Sequence, residues 1–408
     1  MGHVQDRWWK EVEDPDTREV VRVKTSLYGT GLRYKVRYID PEGVERSKSF
    51  PDRQKKKAED FLIEMESDKR EGKYIDPNAG KVLFKVQAES WLNGYSPDAA
   101  TRQTVRSRLR SQIYPYFGHR SLVSIKPQLV RDWLGEMQEK GLSLTYQALL
   151  FETFSSVMNS AVDDKRIHQN PCNVKSIKRP QRSPRKVVPW PESRLHKIQL
   201  ALDARFKIVA PLGAGCGLRQ GEILAFSPED IDREAMVLNV QRQVRLIDRA
   251  PVFSLPKRNK ERQVPLSQGV LDAVDDYLEM FPPTAVTLPW DKPNGELVTV
   301  NLLMVRADGK VCHGDLFNKV VWVPAFKQAG LIYTKRQDGM HAMRHLYASV
   351  LLAQGVSIKE LAEYLGHEDP GFTLRTYTHL MPSSHERARK AVDGVFRARK
   401  TPSNPRTA

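Results

Sequence analysis

Apolar positions recur with different periods along the chain, and the period divides it into stretches. Around residues 20–50 the period is two. Leu32, Tyr34, Val36 and Tyr38 fall on one side of an extended segment, and Arg33, Lys35 and Arg37 on the other, as in a strand with one buried face. Asp40-Pro41-Glu42-Gly43 makes a turn, and Val44 to Phe50 reads as the returning strand. The spacing then becomes helical from about Arg53 to Gly72, with Ala58, Phe61, Leu62 and Met65 on the apolar side. Asp76-Pro77-Asn78 closes this sheet-plus-helix unit.

From residue 82 to 174 the pattern stays helical. Val82, Phe84, Val86, Trp91 and Leu92 begin it, and Asp98 caps a basic stretch from Thr101 to Ile113. Pro127 opens a helix carrying Val130, Trp133, Leu134 and Met137, stopped at Gly141. Ser143 precedes a longer helix that ends before Asn170-Pro171. Next comes a connector with Lys175, Lys178, Arg179, Arg182, Arg185 and Lys186, two prolines and no acid. A dozen extended residues reach roughly 40 Å, enough to pass around the side of a duplex. Beyond Pro191 the pattern is mostly helical, with strands expected at Met236–Val244, Val252–Leu255 and near Arg262–Pro265. Pro282, Pro283, Pro293 and Gly295 make Phe281 to Lys310 read as a surface excursion. A last helix is expected over Ser384 to Phe396.

The expected fold class is therefore multidomain α+β. A small N-terminal β-sheet-plus-helix domain occupies 1–78, an all-α bundle 79–174 and a basic linker 175–190. A mostly α domain with a small antiparallel sheet fills 191–396, followed by a basic tail, 397–408. A chain of 408 residues exceeds what one core usually serves.

Charge narrows the choice of partner. The formal net charge is +16, which favours a polyanion, most often nucleic acid, and fits an anionic membrane less well because no basic amphipathic helix stands out. No run of 18 apolar residues occurs, and Asp6, Glu11, Glu13 and Asp14 interrupt any signal-like stretch at the N-terminus. Cys172, Cys216 and Cys312 are an odd set without paired spacing, pointing to a reducing cytoplasm. Three basic groups are candidates for DNA contact. They are Arg33, Lys35 and Arg37 on the sheet, Arg102, Arg106, Arg108 and Arg110 on the bundle, and Lys178, Arg179 and Arg182 in the linker. For the sheet, a groove-reading face and a merely solvated face stand about even.

The strongest chemical signal is His341-Ala342-Met343-Arg344-His345 at the start of a helix. His341 and Arg344, three apart, leave one face, and an imidazole beside a guanidinium fork suits a phosphate oxygen. His341 and His345 have the spacing of helical zinc ligands, but Ala342 stands where that pattern needs glutamate. His345 is then read as a packing residue. Gly213-Ala214-Gly215-Cys216-Gly217-Leu218-Arg219 lacks the glycine register of a dinucleotide fingerprint and reads as a glycine turn into a new helix.

Taken in order, Arg219, Lys257, His341, Arg344, His367 and Tyr377 resemble the six active-site residues of the tyrosine recombinases of the phage-integrase type. Gly217-Leu218-Arg219-Gln220-Gly221-Glu222 is similar to that family's first arginine box, and Lys257 to Leu266 to its lysine hairpin. Leu361 to Tyr377 resembles its final box. Lys260 lies in the same turn as Lys257, and Arg258 stands where many relatives carry a small residue. The resemblance implies arm-binding, core-binding and catalytic domains and no cofactor or metal. It implies double-stranded DNA attachment sites, a homotetramer on DNA, and accessory proteins such as an excisionase and a DNA-bending host protein.

The implied mechanism is attack by Tyr377 on phosphorus to give a 3′-phosphotyrosyl link. Arg219 and Arg344 would hold the non-bridging oxygens, His367 would hydrogen-bond the phosphate and Lys257 would protonate the leaving 5′-oxygen. A free tyrosine, with a pKa of about 10, is only about 0.1% ionised at neutral pH. The arginines are expected to lower that value, with His341 taking the proton. A type IB topoisomerase shares this chemistry, and a catalytically silent DNA-binding protein shares the charge. A zinc hydrolase is the reading the histidines alone would raise.

Overall fold

The computed structural model describes residues 2–13, 18–95, 97–182 and 187–377, together with 379, 389, 390, 392, 393 and 396. The chain divides into two compact units, Met1–Ser183 and Pro184–Ala408, so the division falls within the basic connector.

The first unit holds two separate hydrophobic clusters. One gathers Tyr34, Val36, Tyr38, Ala58 and Met65. It lies between a three-stranded antiparallel sheet and the helix Lys55–Arg70, with Tyr34–Ile39 the central strand, His3–Asp6 on one side and Glu45–Phe50 on the other. Alternation along the central strand buries every second residue, as its sequence requires. His3–Asp6 and Trp9–Glu13 lie outside the sequence expectation, their polar residues giving little alternation to read, whereas Val20–Lys24, which pairs with Trp9–Glu13, falls in the stretch expected to be extended. Leu32, expected on the buried face, precedes the strand and is exposed.

The second cluster is the bundle core. Helices Phe84–Gly94, Ala99–Arg108, Pro127–Glu139 and Leu144–Asp163 converge on Phe84, Phe117, Trp133 and Phe154. Phe117 and Phe154 stack at 4.3 Å between centroids, favourable by about 1 kcal/mol beyond their buried area. Asp98 and Ser143 cap their helices by accepting from Thr101 N and Tyr146 N.

In the second unit a small antiparallel sheet, ordered Arg262–Pro265, Val237–Val240, Ile231–Asp232, is followed in sequence by the helix Gln268–Met280. The single strand expected over Met236–Val244 is instead broken. Arg242 turns into Asp230 with contacts of 2.6–2.8 Å, and the chain restarts at Gln243–Ile247 to pair with Ala250–Ser254. Phe281 to Lys310 is likewise not a mere excursion. It contains the hairpin Thr284–Pro289/Leu297–Leu302, which buries Val286, Leu288, Val300 and Leu302 in the domain core. The expected final helix, Ser384 to Phe396, falls mostly, and the tail 397–408 wholly, outside the described residues. No described helix is long and apolar enough to cross a membrane. All three cysteines are buried and unpaired.

Candidate active site

The glycine turn before Arg219 is shaped by what surrounds it. Gly217 has φ +64°, and a Cβ there would sit 2.4 Å from the Tyr347 ring, so only glycine fits without strain. Its carbonyl accepts from Arg344 Nη1 at 2.7 Å. Arg219 follows in extended conformation at the head of the short helix Gln220–Leu224. Glu222, fully buried, accepts from Arg219 N at 2.8 Å and from Arg219 Nη1 at 2.7 Å. The same carboxylate receives both terminal nitrogens of Arg262, at 3.0 and 2.6 Å. Arg262 comes from the strand after the Lys257 turn and also donates from Nε to Tyr364 O at 2.7 Å. Burial alone would raise the Glu222 pKa, but Arg262, Arg219 and Arg344 together bring it down to about 2.

The helix His341–Ala353 supplies Arg344, whose side chain has no exposure. Besides Gly217 O, it donates to Leu365 O and to His367 Nε2. Arg219 Nη2 reaches the carbonyls of Leu365 and Gly366 at 3.1 and 3.2 Å. Both arginines are thus fastened to the end of the helix Ile358–Leu365. That end closes with Gly366 at φ +60° and His367 N donating to Ala362 O at 2.8 Å, a left-handed cap that projects His367 back over the arginines. Since an arginine only donates, His367 Nε2 is the acceptor, and its Nδ1–H donates to Thr373 Oγ1 at 2.7 Å. His367 is neutral, its pKa lowered to about 3 by burial and by Arg344 and Arg219.

Tyr377 ends the helix Pro370–Tyr377 and is 1% exposed. Its hydroxyl lies 2.8 Å from His345 Nδ1. The expectation that arginines lower the tyrosine pKa is corrected here. Arg344 and Arg219 do pull it down, but burial outweighs them and raises it to about 12. The proton partner also differs from expectation. His345, read as a packing residue, holds the hydroxyl, while His341 meets the His345 ring edge-on at 4.6 Å and lies at the solvent-open mouth. Desolvation, together with His345, Arg344 and Arg219, lowers the His341 pKa. His341 is therefore neutral at pH 7.

Three guanidinium groups, from Arg219, Arg262 and Arg344, surround one carboxylate, leaving two net positive charges beside the tyrosine. Arg344 Nε is buried without a hydrogen-bond partner, an unmet donor that an anion would satisfy. Among the described residues no three His, Cys, Asp or Glu side chains gather as a metal set.

Lys257 sits in the turn Lys257–Asn259, exposed like Lys260, and neither ammonium has a described ion pair. Arg258 adopts φ 68° and pairs with Glu368, which ties this turn to the residue beside His367. The other basic candidates differ among themselves. Arg33 is committed to Asp6 and Asp52 at 2.8 and 2.9 Å, and Arg37 to Glu45, leaving Lys35 as the unpaired member of the sheet face. Arg102, Arg106 and Arg110 lie at helical spacing, with Arg110 the most open. Lys178, Arg179 and Arg182 are exposed, with Arg182 paired to Glu152 and Arg179 donating to Asn173. Arg185 and Lys186 lie outside the described residues.

Comparison with known proteins agrees with this geometry. Residues 193–384 match the model of the phage integrase family and residues 84–175 that of the phage integrase central domain. A tyrosine recombinase XerC-like protein of Caldanaerobacter subterraneus subsp. tengcongensis is 28% identical over 292 residues, 67% of this chain and 72% of the relative. The Tn1549 transposon integrase, solved in complex with transposon right end DNA, superposes with a TM-score of 0.63 at 19% identity, covering 77% of this chain and 100% of that one. A lambda integrase tetramer bound to a Holliday junction superposes at 0.55 and 16% identity, covering 82% and 93%. The fold is that of the tyrosine-recombinase integrases. The chain belongs to the phage integrase family.

Proposed function

We propose that this chain is a site-specific DNA integrase that cuts and rejoins strands through a 3′-phosphotyrosyl intermediate formed on Tyr377. The observation that carries the reading is the buried tyrosine hydroxyl in the same site as Arg219 and Arg344, with excess positive charge and an unmet Arg344 donor. Arg219 and Arg344 bind the non-bridging phosphate oxygens, where charge grows in the transition state. His367 hydrogen-bonds the phosphate. Lys257, from its exposed position on the turn, protonates the leaving 5′-oxygen, and Lys260 is its alternative. Because the phosphotyrosyl link conserves the bond energy, a 5′-hydroxyl from a second strand reverses the step without a nucleotide cofactor.

The chain works as a homotetramer on double-stranded attachment sites of a phage or other mobile element, in the bacterial cytoplasm. The lambda tetramer on its junction supports this assembly. Basic side chains on the bundle and linker, Arg106, Arg110 and Lys178 among them, hold the duplex by its phosphates, and Lys35 carries the sheet contribution. An excisionase and a DNA-bending host protein belong to the same proposal.

The test lets the protein select its own site. Nicked duplexes with a randomised core are incubated with the chain in EDTA, and those that survive denaturant as protein-bound adducts are sequenced. A defined sequence captured by wild type and lost in Tyr377→Phe is the expected result. Adducts that persist in Tyr377→Phe would remove Tyr377 as nucleophile. Binding without any adduct would leave a DNA-binding protein in place of an enzyme.

A further inference from the structure

The contact between His345 and Tyr377 joins the one group the reaction must deprotonate to a side chain outside the six expected positions. The direction of the bond follows from what each atom can do. Tyr377 is 1% exposed, and its hydroxyl has no other described hydrogen-bond partner. If His345 donated from Nδ1, the phenolic hydrogen would be buried without an acceptor, which costs about 1–3 kcal/mol. The hydroxyl therefore donates, and His345 is the tautomer with a bare Nδ1 and its proton on Nε2.

We propose that His345 is a catalytic residue of this integrase: it orients the Tyr377 hydroxyl and accepts its proton as the tyrosine attacks phosphorus. The proposal rests on the recombinase reading given above. In the step, the Tyr377 Oη–H bond breaks as Oη bonds to phosphorus, and the proton passes to His345 Nδ1. The P–O5′ bond breaks, and the leaving oxygen takes a proton from Lys257. Hydrogen donation to Nδ1 leaves the lone pairs of Oη facing away from the imidazole, available to phosphorus.

At rest the transfer is opposed. Burial and Arg344 lower the His345 pKa to about 4, while burial holds Tyr377 at about 12. The charged and titratable groups around His345 are His341 and Arg344 on its own helix, Tyr377 on the facing helix, and His367 and Arg219 across the site. The histidines are neutral and the arginines cationic, and the one carboxylate of the site, Glu222, is taken up by Arg219 and Arg262, so among the described residues no carboxylate is in contact with the imidazole in the free protein. A bound phosphodiester supplies the missing negative charge. The anion offsets the arginine field that suppresses the imidazolium, raising the His345 pKa only when substrate is present. The nucleophile thus stays protonated until DNA occupies the site.

The experiment uses the full chain and a nicked duplex obtained by covalent capture, with single-turnover adduct formation as readout. His345→Ala is expected to slow the adduct about a hundredfold or more, the usual contribution of a positioned base, with retention of the unreacted duplex unchanged. Added imidazole, filling the space left by the ring, is expected to restore at least part of the His345→Ala rate in proportion to its concentration, and to do nothing for Tyr377→Phe. His345→Asn, whose Oδ1 takes the place of Nδ1 as acceptor without its basicity, should be intermediate. It also guards against a folding defect in the alanine variant. A His345→Ala rate within about threefold of wild type overturns the proposal. So does full wild-type activity in His345→Asn, because orientation alone would then suffice. If wild type captures no duplex at all, the recombinase reading itself has failed, which is a different outcome from a fast His345→Ala.

Discussion

Arg262 offers the sharpest test of how the site is held. Its guanidinium and the Glu222 carboxylate are both almost wholly removed from solvent, at 3% and 0% side-chain exposure. It makes two bonds to that carboxylate and one to Tyr364 O. Arg262→Met keeps the aliphatic bulk but leaves Glu222 with Arg219 alone. Removing one partner of a buried pair costs about 3–5 kcal/mol, and the remaining Arg219 bonds place this case near 3. For a unit of this size the unfolding midpoint should fall by roughly 6–12 °C. Glu222→Gln should also destabilise, because it strands the buried Arg262 guanidinium and weakens the hold on the partly buried Arg219. The double variant should be less unstable than the sum of the two by about 1 kcal/mol or more, since neither then leaves its partner uncompensated. Denaturant unfolding of the full chain gives the totals, and hydrogen exchange in peptides beyond residue 184 assigns them to the second unit. A loss below about 1 kcal/mol for Arg262→Met, or strict additivity in the double variant, would refute the argument that Glu222 is a shared counter-ion.

Other expectations follow from the same contacts. Glu222 has a folded pKa of about 2 against an ordinary 4.5. Its contribution is therefore present above pH 4.5 and lost as pH falls toward 2. His345 and His367 are depressed to about 4 and about 3 from 6.5, so the unfolded chain binds the extra protons and stability begins to drop already below pH 6.5. A denaturant midpoint unchanged between pH 7 and pH 5 would contradict the histidine assignment. Gly217→Ala forces a side chain into φ +64° and into the Tyr347 ring. It should destabilise by about 2–4 kcal/mol from backbone strain plus overpacking. It should also slow adduct formation by shifting the carbonyl that holds Arg344. A folded, fully active Gly217→Ala protein would show that this contact does not position Arg344.

What could be read from sequence was whatever is written in short local segments. Tyr34, Val36 and Tyr38 alternate because one strand face is buried, and Asp98 and Ser143 cap helices through neighbours three residues on. The chemical boxes were visible for the same reason. What joins the boxes was not. Arg33 reads as an open cation until the fold brings it Asp6 and Asp52, 27 and 19 residues away. Arg262 reads as the first residue of a short strand until it meets Glu222, 40 residues earlier. The 281–310 segment misled because Pro282 and Pro283 precede its first strand and Pro293 and Gly295 sit in the hairpin turn, while its buried valines and leucines pair only once the hairpin closes.

His345 is the most instructive case. Its spacing from His341 puts both rings on one helix face, and that spacing alone pointed to a metal ligand or to packing. Neither reading could include Tyr377, 32 residues further on. The same fold that supplies the contact also buries the tyrosine, and burial, not the arginines, decides its protonation in the free protein. Counting cations near a nucleophile therefore predicts the wrong sign for the resting state. A bound anion does not lower the phenol itself; it offsets the arginine field at His345, so that the imidazolium is no longer suppressed and the proton has an acceptor. A site built this way is reactive toward a bound phosphodiester and inert without one.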